Sequence, residues 1–140
     1  MIKRLAVLTL LCFASFILFG QMKPSKQKDL ILFTELSHDY GTIEVGSPGK
    51  SEFKFTNTMN KALVISSVKP SCGCTVAEWP KEPILAGKTG VIKLHYNTKI
   101  PGTFNKTITV SSNAKNATVI LRIKGNVSRY RLDKSVMTHK

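Results

Sequence analysis

Apolar residues in the body of this chain recur at every second position, and no other feature limits its fold as strongly. Phe53 and Phe55 alternate with Glu52, Lys54 and Thr56. Leu63 and Ile65 lead into Val68, and Ile92, Leu94 and Tyr96 alternate with Lys93 and His95. Phe104, Ile108 and Val110 share a parity that Lys106 breaks, while Val119, Leu121 and Ile123 alternate with Arg122 and Lys124. An extended backbone turns successive side chains to opposite faces, so a period of two marks strands with one buried face. No segment after Gly20 sustains a helical period. Several one-sided strands must cover one another, which requires two packed sheets. The expected core between them is Phe53, Phe55, Leu63, Ile65, Leu94, Tyr96, Ile108, Val110, Leu121 and Ile123.

Turn-forming residues punctuate the strands at Gly46-Ser47-Pro48-Gly49, Asn57 to Asn60, Pro80 to Pro83, Ala86-Gly87-Lys88, Ile100-Pro101-Gly102 and Ser111 to Asn116. The fold class that follows is all-β: an immunoglobulin-like β-sandwich of about seven strands. It spans residues 30–128 as one domain without internal repeats. The Cys…Trp…Cys spacing of antibody domains is missing, because the sole Trp79 lies just after Cys72 and no distant cysteine remains to bridge the sheets.

The two ends differ in kind from the body. Met1-Ile2-Lys3-Arg4 is a basic start, and Leu5 to Gly20 then runs 16 residues without a charge. A basic start followed by an apolar run reads as a secretory signal, here residues 1–20 with cleavage after Gly20. The run falls short of the roughly 18 to 20 residues that span a bilayer comfortably, which favours cleavage over the alternative of a retained membrane anchor, and after cleavage no integral span is expected. Cys12 sits inside the run without the small residue that lipidation needs before it. Residues 21–29 form a polar leader and residues 129–140 a basic tail. The expected location is therefore periplasmic or secreted.

The full chain has 140 residues, with 21 Lys plus Arg against 8 Asp plus Glu, a net charge of +13. Apolar residues at 42% exclude a disordered chain. Excess positive charge favours anionic partners, and steep loss of binding with salt would mark an anionic polymer. Most of these lysines are scattered, and the one dense cluster is Arg122, Lys124, Arg129, Arg131 and Lys134. No recognition motif accompanies it, so a solvated basic surface is the reading adopted and nucleic acid is not an expected partner.

Cys72 and Cys74, in Pro70-Ser71-Cys72-Gly73-Cys74-Thr75, are the most unusual local feature. An oxidising compartment favours their oxidation. Residues two apart reach the upper end of the disulfide Cα range when the chain bends, and Gly73 supplies backbone freedom for the bend. So small a ring removes little loop entropy, so it contributes little to stability. The pair is expected on an exposed turn after a Leu63–Val68 strand, as a local, reducible disulfide. Thiol-redox chemistry, Cu(I) ligation by the two thiolates and pairing with another chain stay open beside it.

Other chemistry has little support. Zinc would want four ligands, and His38, His95 and His139 have no paired spacing. His38-Asp39 is the sole adjacent acid–histidine pair and reads as a turn rather than half of a triad. No nucleophile elbow and no phosphate-cradling glycine loop is present. Neither catalytic residues nor a cofactor is expected, and the chain is read as not an enzyme.

Taken together, several segments resemble a bacterial family. They are His38 to Ile43, Phe53 to Thr58, Leu63-Val64-Ile65, Pro70 to Thr75, Trp79-Pro80, Gly87-Lys88, Pro101 to Phe104, Lys106 to Val110, Ser112-Asn113 and Gly125-Asn126-Val127. In this order they look like the secreted domain-of-unknown-function family 1573, and the Ser-Cys-Gly-Cys-Thr element is the specific part. The resemblance implies an exported immunoglobulin-like sandwich, similar to modules of ciliary and centrosomal proteins and to chaperone-type sandwiches, with no established activity. Two departures stand out. Tyr40 replaces a common phenylalanine, and Met59 replaces a turn glycine, which would leave any left-handed residue there to Asn60 or a looser turn. The reading is an exported, non-enzymatic binding or structural module whose partner is a protein or a cell-envelope component. The alternative is a periplasmic thiol-redox or copper-handling protein built on Cys72 and Cys74.

Overall fold

The computed structural model describes residues 29–129. The expected signal segment lies outside the described residues, as do the leader apart from Asp29, the tail apart from Arg129, and His139. The alternating segments are strands, and no helix occurs among the described residues. Eight strands form: β1 (Ile31–Phe33), β2 (Ser37–Glu44), β3 (Lys50–Asn57), β4 (Ile65–Pro70), β5 (Thr75–Glu78), β6 (Thr89–Tyr96), β7 (Gly102–Ser112) and β8 (Thr118–Ser128). One sheet has the order β1-β3-β6-β5 and the other β2-β8-β7-β4.

Every pair in the first sheet is antiparallel. In the second sheet β7 pairs antiparallel with both β8 and β4, whereas β2 runs parallel to β8. The first extended segment is thus split. β1 joins one sheet, Thr34–Leu36 crosses over, and β2 joins the other. Parallel neighbours need a long connection, and here the whole sandwich between β2 and β8 supplies it. Gly41, at φ 61°, sits where the β2 register shifts between Asp39 and Thr42. That left-handed residue permits a bulge that most side chains would strain.

The predicted core is the observed one. All ten residues expected there are at most 5% exposed, and they share one cluster with Ile31, Met59, Val68, Ile84, Ile92, Phe104, Ala114 and Val127. Facing strands contribute alternate residues, so Phe53, Phe55, Ile92 and Leu94 from one sheet meet Ile108, Val110, Leu121 and Ile123 from the other. Phe55 requires a glycine beside it: a Cβ on Gly90, its register partner, would overlap the Phe55 ring. Tyr96 stacks on Phe104 across the sheets with centroids 3.9 Å apart, and Tyr40 packs tilted against Phe104 at 5.7 Å. The Tyr40 hydroxyl donates to the Gly49 carbonyl at 3.0 Å, anchoring β2 to the entry of β3.

Asn57 governs the turn after β3. Its side chain is fully buried. Its Oδ1 accepts from the Met59 N–H at 2.9 Å, and its Nδ2 donates to the carbonyls of Lys61 at 2.8 Å and Ile84 at 2.9 Å. The turn therefore needs no left-handed residue. Neither Met59 nor Asn60 adopts a positive φ, because the Asn57 amide shapes the turn and Met59 turns inward to only 3% exposure.

Candidate functional site

The Cys72–Cys74 turn carries the chain from one sheet to the other. β4 ends at Pro70, which faces Ile108 on β7. The ladder continues one step further, with the Ser71 N–H donating to the Thr107 carbonyl at 2.8 Å and the Thr107 N–H to Ser71 Oγ at 3.2 Å. Beyond it the Thr75 N–H donates to the Cys72 carbonyl at 3.4 Å, and the Cys74 carbonyl accepts from the Asn97 N–H at 2.8 Å, which starts β5 along β6. Pro70 thus stands where the missing N–H does least harm, at the end of an edge strand, as its chemistry requires.

A disulfide joins Cys72 to Cys74 within this turn, with Cα atoms 5.2 Å apart. That separation lies in the lower half of the usual range, not at the upper end expected from the two-residue spacing. Gly73 is also not needed for the bend. Its φ lies outside the left-handed region, and a Cβ there would meet nothing within 4 Å. The preceding strand begins at Ile65 rather than Leu63, which instead makes an isolated bridge with Ile84. The turn is only partly exposed. Ser71 and Gly73 face solvent, while Cys72 and Cys74 are half-buried. The two sulfurs differ in setting: Cys74 packs against the core, and Cys72 Sγ lies 3.9 Å from the Thr75 hydroxyl. At the far end of β5, Trp79 packs on the core edge with Lys81 Nζ 2.9 Å from its ring centroid.

The remaining candidates are dispersed. His38 stands edge-on to Tyr40 at 4.6 Å, and His95 is exposed on the outer face of β6. Asp39 accepts from the Gly41 N–H at 2.8 Å and pairs with Lys124 at 3.2 Å. The Gly41 N–H and, after it, Lys124 hold its carboxyl below the ordinary 3.8. Burial pushes the phenols of Tyr40 and Tyr96 above their ordinary 10.0. Among the described residues no three of His, Cys, Asp and Glu gather as a metal site, and no helix is long and apolar enough to cross a membrane. Arg122 and Lys124 of the basic cluster lie exposed on the outer face of β8, Lys124 in its ion pair with Asp39.

Three asparagines whose side chains replace missing backbone partners escaped the sequence reading. Besides Asn57, Asn113 accepts from the Val64 N–H at 2.9 Å and donates to the Ala62 carbonyl at 3.1 Å. Asn116 accepts from the Ile31 N–H at 3.0 Å and donates to its carbonyl at 2.9 Å. Asparagine in a turn after a strand is the one signal that points to this role.

The fold is shared with solved structures of low sequence identity. VesB protease of Vibrio cholerae matches with a TM-score of 0.59 at 11% identity, over 69% of this chain and 32% of that one. A protein of unknown function from Porphyromonas gingivalis W83 matches with a TM-score of 0.60 at 13% identity, over 76% of this chain and 51% of that one. The PapD-like domain 7 (ASH) of human CEP192 matches with a TM-score of 0.60 at 11% identity, over 81% of this chain and 97% of that domain. The chain spans about a third of VesB and half of the Porphyromonas protein. At such identities the likeness establishes the immunoglobulin-like, PapD-like sandwich and carries no activity with it. No curated protein matches. The model of a family of proteins of unknown function, DUF1573, matches residues 31–127, and the chain belongs to that family.

Proposed function

We propose that this chain is an exported, non-enzymatic binding or structural module of the bacterial cell envelope. One observation carries the reading: the sandwich is open, with β1, β5, β2 and β4 as outer strands rather than a closed barrel. An open edge offers backbone groups to another chain. The basic start and apolar run of residues 1–20 support export. The likeness to a PapD-like domain fits a module that works by contact, though that likeness is one of fold.

Two measurements test the proposal on the intact chain produced in a bacterium with a periplasm. N-terminal sequencing of the fractionated protein should begin near Gln21, and retention of Met1 in a cytoplasmic product would refute export. Cross-linking in intact cells should give a defined adduct with a protein or envelope polymer. A chain that stays monomeric under cross-linking would refute the binding role.

A second reading is favoured by the bonded Cys72–Cys74 pair with its half-exposed Cys72. In it the protein exchanges this disulfide with external thiols, or holds Cu(I) when reduced. Alkylation with and without reductant, together with metal analysis of the purified protein, separates the two readings. A pair that is stoichiometrically reduced or metal-loaded as isolated would favour the second.

A further inference from the structure

The four outer strands are not equally open. At β1, three residues long, the Asn116 side chain takes both the N–H and the carbonyl of Ile31. β2 carries a bulge at Asp39–Thr42. β4 carries a bulge between Ile65 and Ser67, ends in Pro70, and has Val64 held by Asn113. These are the devices by which sheets blunt their edges. β5 is short too, at four residues, and ends in the charged Glu78, but within Thr75–Glu78 it has no bulge, no proline and no side chain capping its outer backbone groups: its register with β6 is regular.

The ladder phase shows what β5 offers. The Cys74 carbonyl accepts from Asn97, so Cys74, Val76 and Glu78 direct their backbone groups to β6. In an antiparallel pair the intervening residues point the other way. The Thr75 carbonyl and the N–H and carbonyl of Ala77 therefore face the open side. On the outer face of the sheet, Val76 is 62% exposed, so its side chain is open to one from an added strand.

The rows across that face define what belongs next to β5. One row reads Glu52, Lys93, Glu78 through consecutive register pairs, alternating in charge. The next reads Lys50, His95, Val76. Together these residues line a shallow depression of about 470 Å³. Opposite charges in register stabilise a sheet and like charges oppose it. The position beyond Glu78 therefore suits a cation, and the position beyond Val76 suits an apolar side chain. All pairs in this sheet are antiparallel, so the cation comes two residues before the apolar one.

We propose that the open edge of β5 receives an extended segment of another protein, added antiparallel to the sheet and carrying a basic residue two positions before an apolar one. The inference rests on the binding-module reading and assigns that module its surface. A second copy of β5 fits less well: centred on Ala77 it would set Val76 against Glu78, centred on Val76 it would leave Glu78 opposite Cys74 with no cation, and either way it brings together two strongly basic chains. The segment joins through main-chain hydrogen bonds to Ala77, while Glu78 and Val76 select its side chains.

The test selects random linear peptides displayed on phage against the purified chain, then measures binding of the synthetic winners. The winners should share the basic-x-apolar pattern and slow amide exchange at Ala77. Ala77→Pro, which removes the edge donor, should weaken them about fivefold, the factor expected for one lost hydrogen bond. Glu78→Lys should abolish the basic preference. Should Ala77→Pro fail to fold, Val76→Asp supplies the same discrimination at the apolar position. Winners without the pattern, unchanged binding to these variants, or no winners at all would overturn the proposal. Protection at β2 or β4 instead would overturn it while leaving the binding module intact, and the cross-linking described above tests that module separately.

Discussion

Replacing Asn57 by alanine tests whether one buried amide holds the turn on which β3 and the Leu63–Ile84 bridge depend. The change removes an acceptor from the Met59 N–H and a donor from each of the Lys61 and Ile84 carbonyls. These losses are unequal. Lys61 is exposed, so water can replace its bond. Ile84 still accepts from the Leu63 N–H at 2.8 Å. Met59 is 3% exposed, and its N–H loses its partner outright. A buried orphaned donor costs about 1–3 kcal/mol, and each net lost bond about 1 kcal/mol more. The sum is about 3 kcal/mol. The control is Asn113→Ala, whose bonds to Val64 and Ala62 lie at exposed positions open to water. It should cost about 1 kcal/mol. Urea unfolding of both variants measures the difference, with unchanged m-values as the check on two-state behaviour. Equal midpoints for the two variants would refute the argument that burial, rather than the number of bonds, sets the cost.

Four further outcomes are expected. Phe53→Ala should lose about 3–5 kcal/mol by leaving a cavity between the sheets, while Lys93→Ala on the outer face stays within about 0.5 kcal/mol in the same urea titration. Gly90→Ala should cost about 1–3 kcal/mol through overlap with Phe55, and a Phe55→Leu background should relieve part of that cost in a double-mutant cycle. The Cys72→Ser, Cys74→Ser variant should fold and lose less than about 2 kcal/mol, because the closed loop is minimal; mass spectrometry of the alkylated, non-reduced parent should show the local bridge. The Asp39 carboxyl should titrate below 3.8 by NMR, and Lys124→Ala should raise it only partly, since the Gly41 N–H is the larger cause. With the folded value depressed, its stabilising contribution is present above the unfolded value and is lost as pH falls through the folded one.

Much of this fold is legible in the amino-acid order. Alternation at Phe53/Phe55, Leu94/Tyr96, Ile108/Val110 and Leu121/Ile123 reports which face each strand buries, because the side-chain period of a strand is a local property of the backbone. From that alone come the two sheets and their core, and the missing N–H of Pro70 adds a strand end there. Cys72 and Cys74 are close in sequence, so their bridge too is a local matter.

Pairing is not local. Nothing in Ile31–Glu44 states that it divides between two sheets, or that β2 runs parallel to β8, since β1 finds its partner in β3 and β2 finds its own in β8, far along the chain. Asn57 and Asn116 read as ordinary turn residues until the tertiary structure brings Ile84 and Ile31 against their amides. The openness of β5 is likewise invisible in Thr-Val-Ala-Glu. An edge is defined by which strand is missing beside it, and only the assembled sheets decide that.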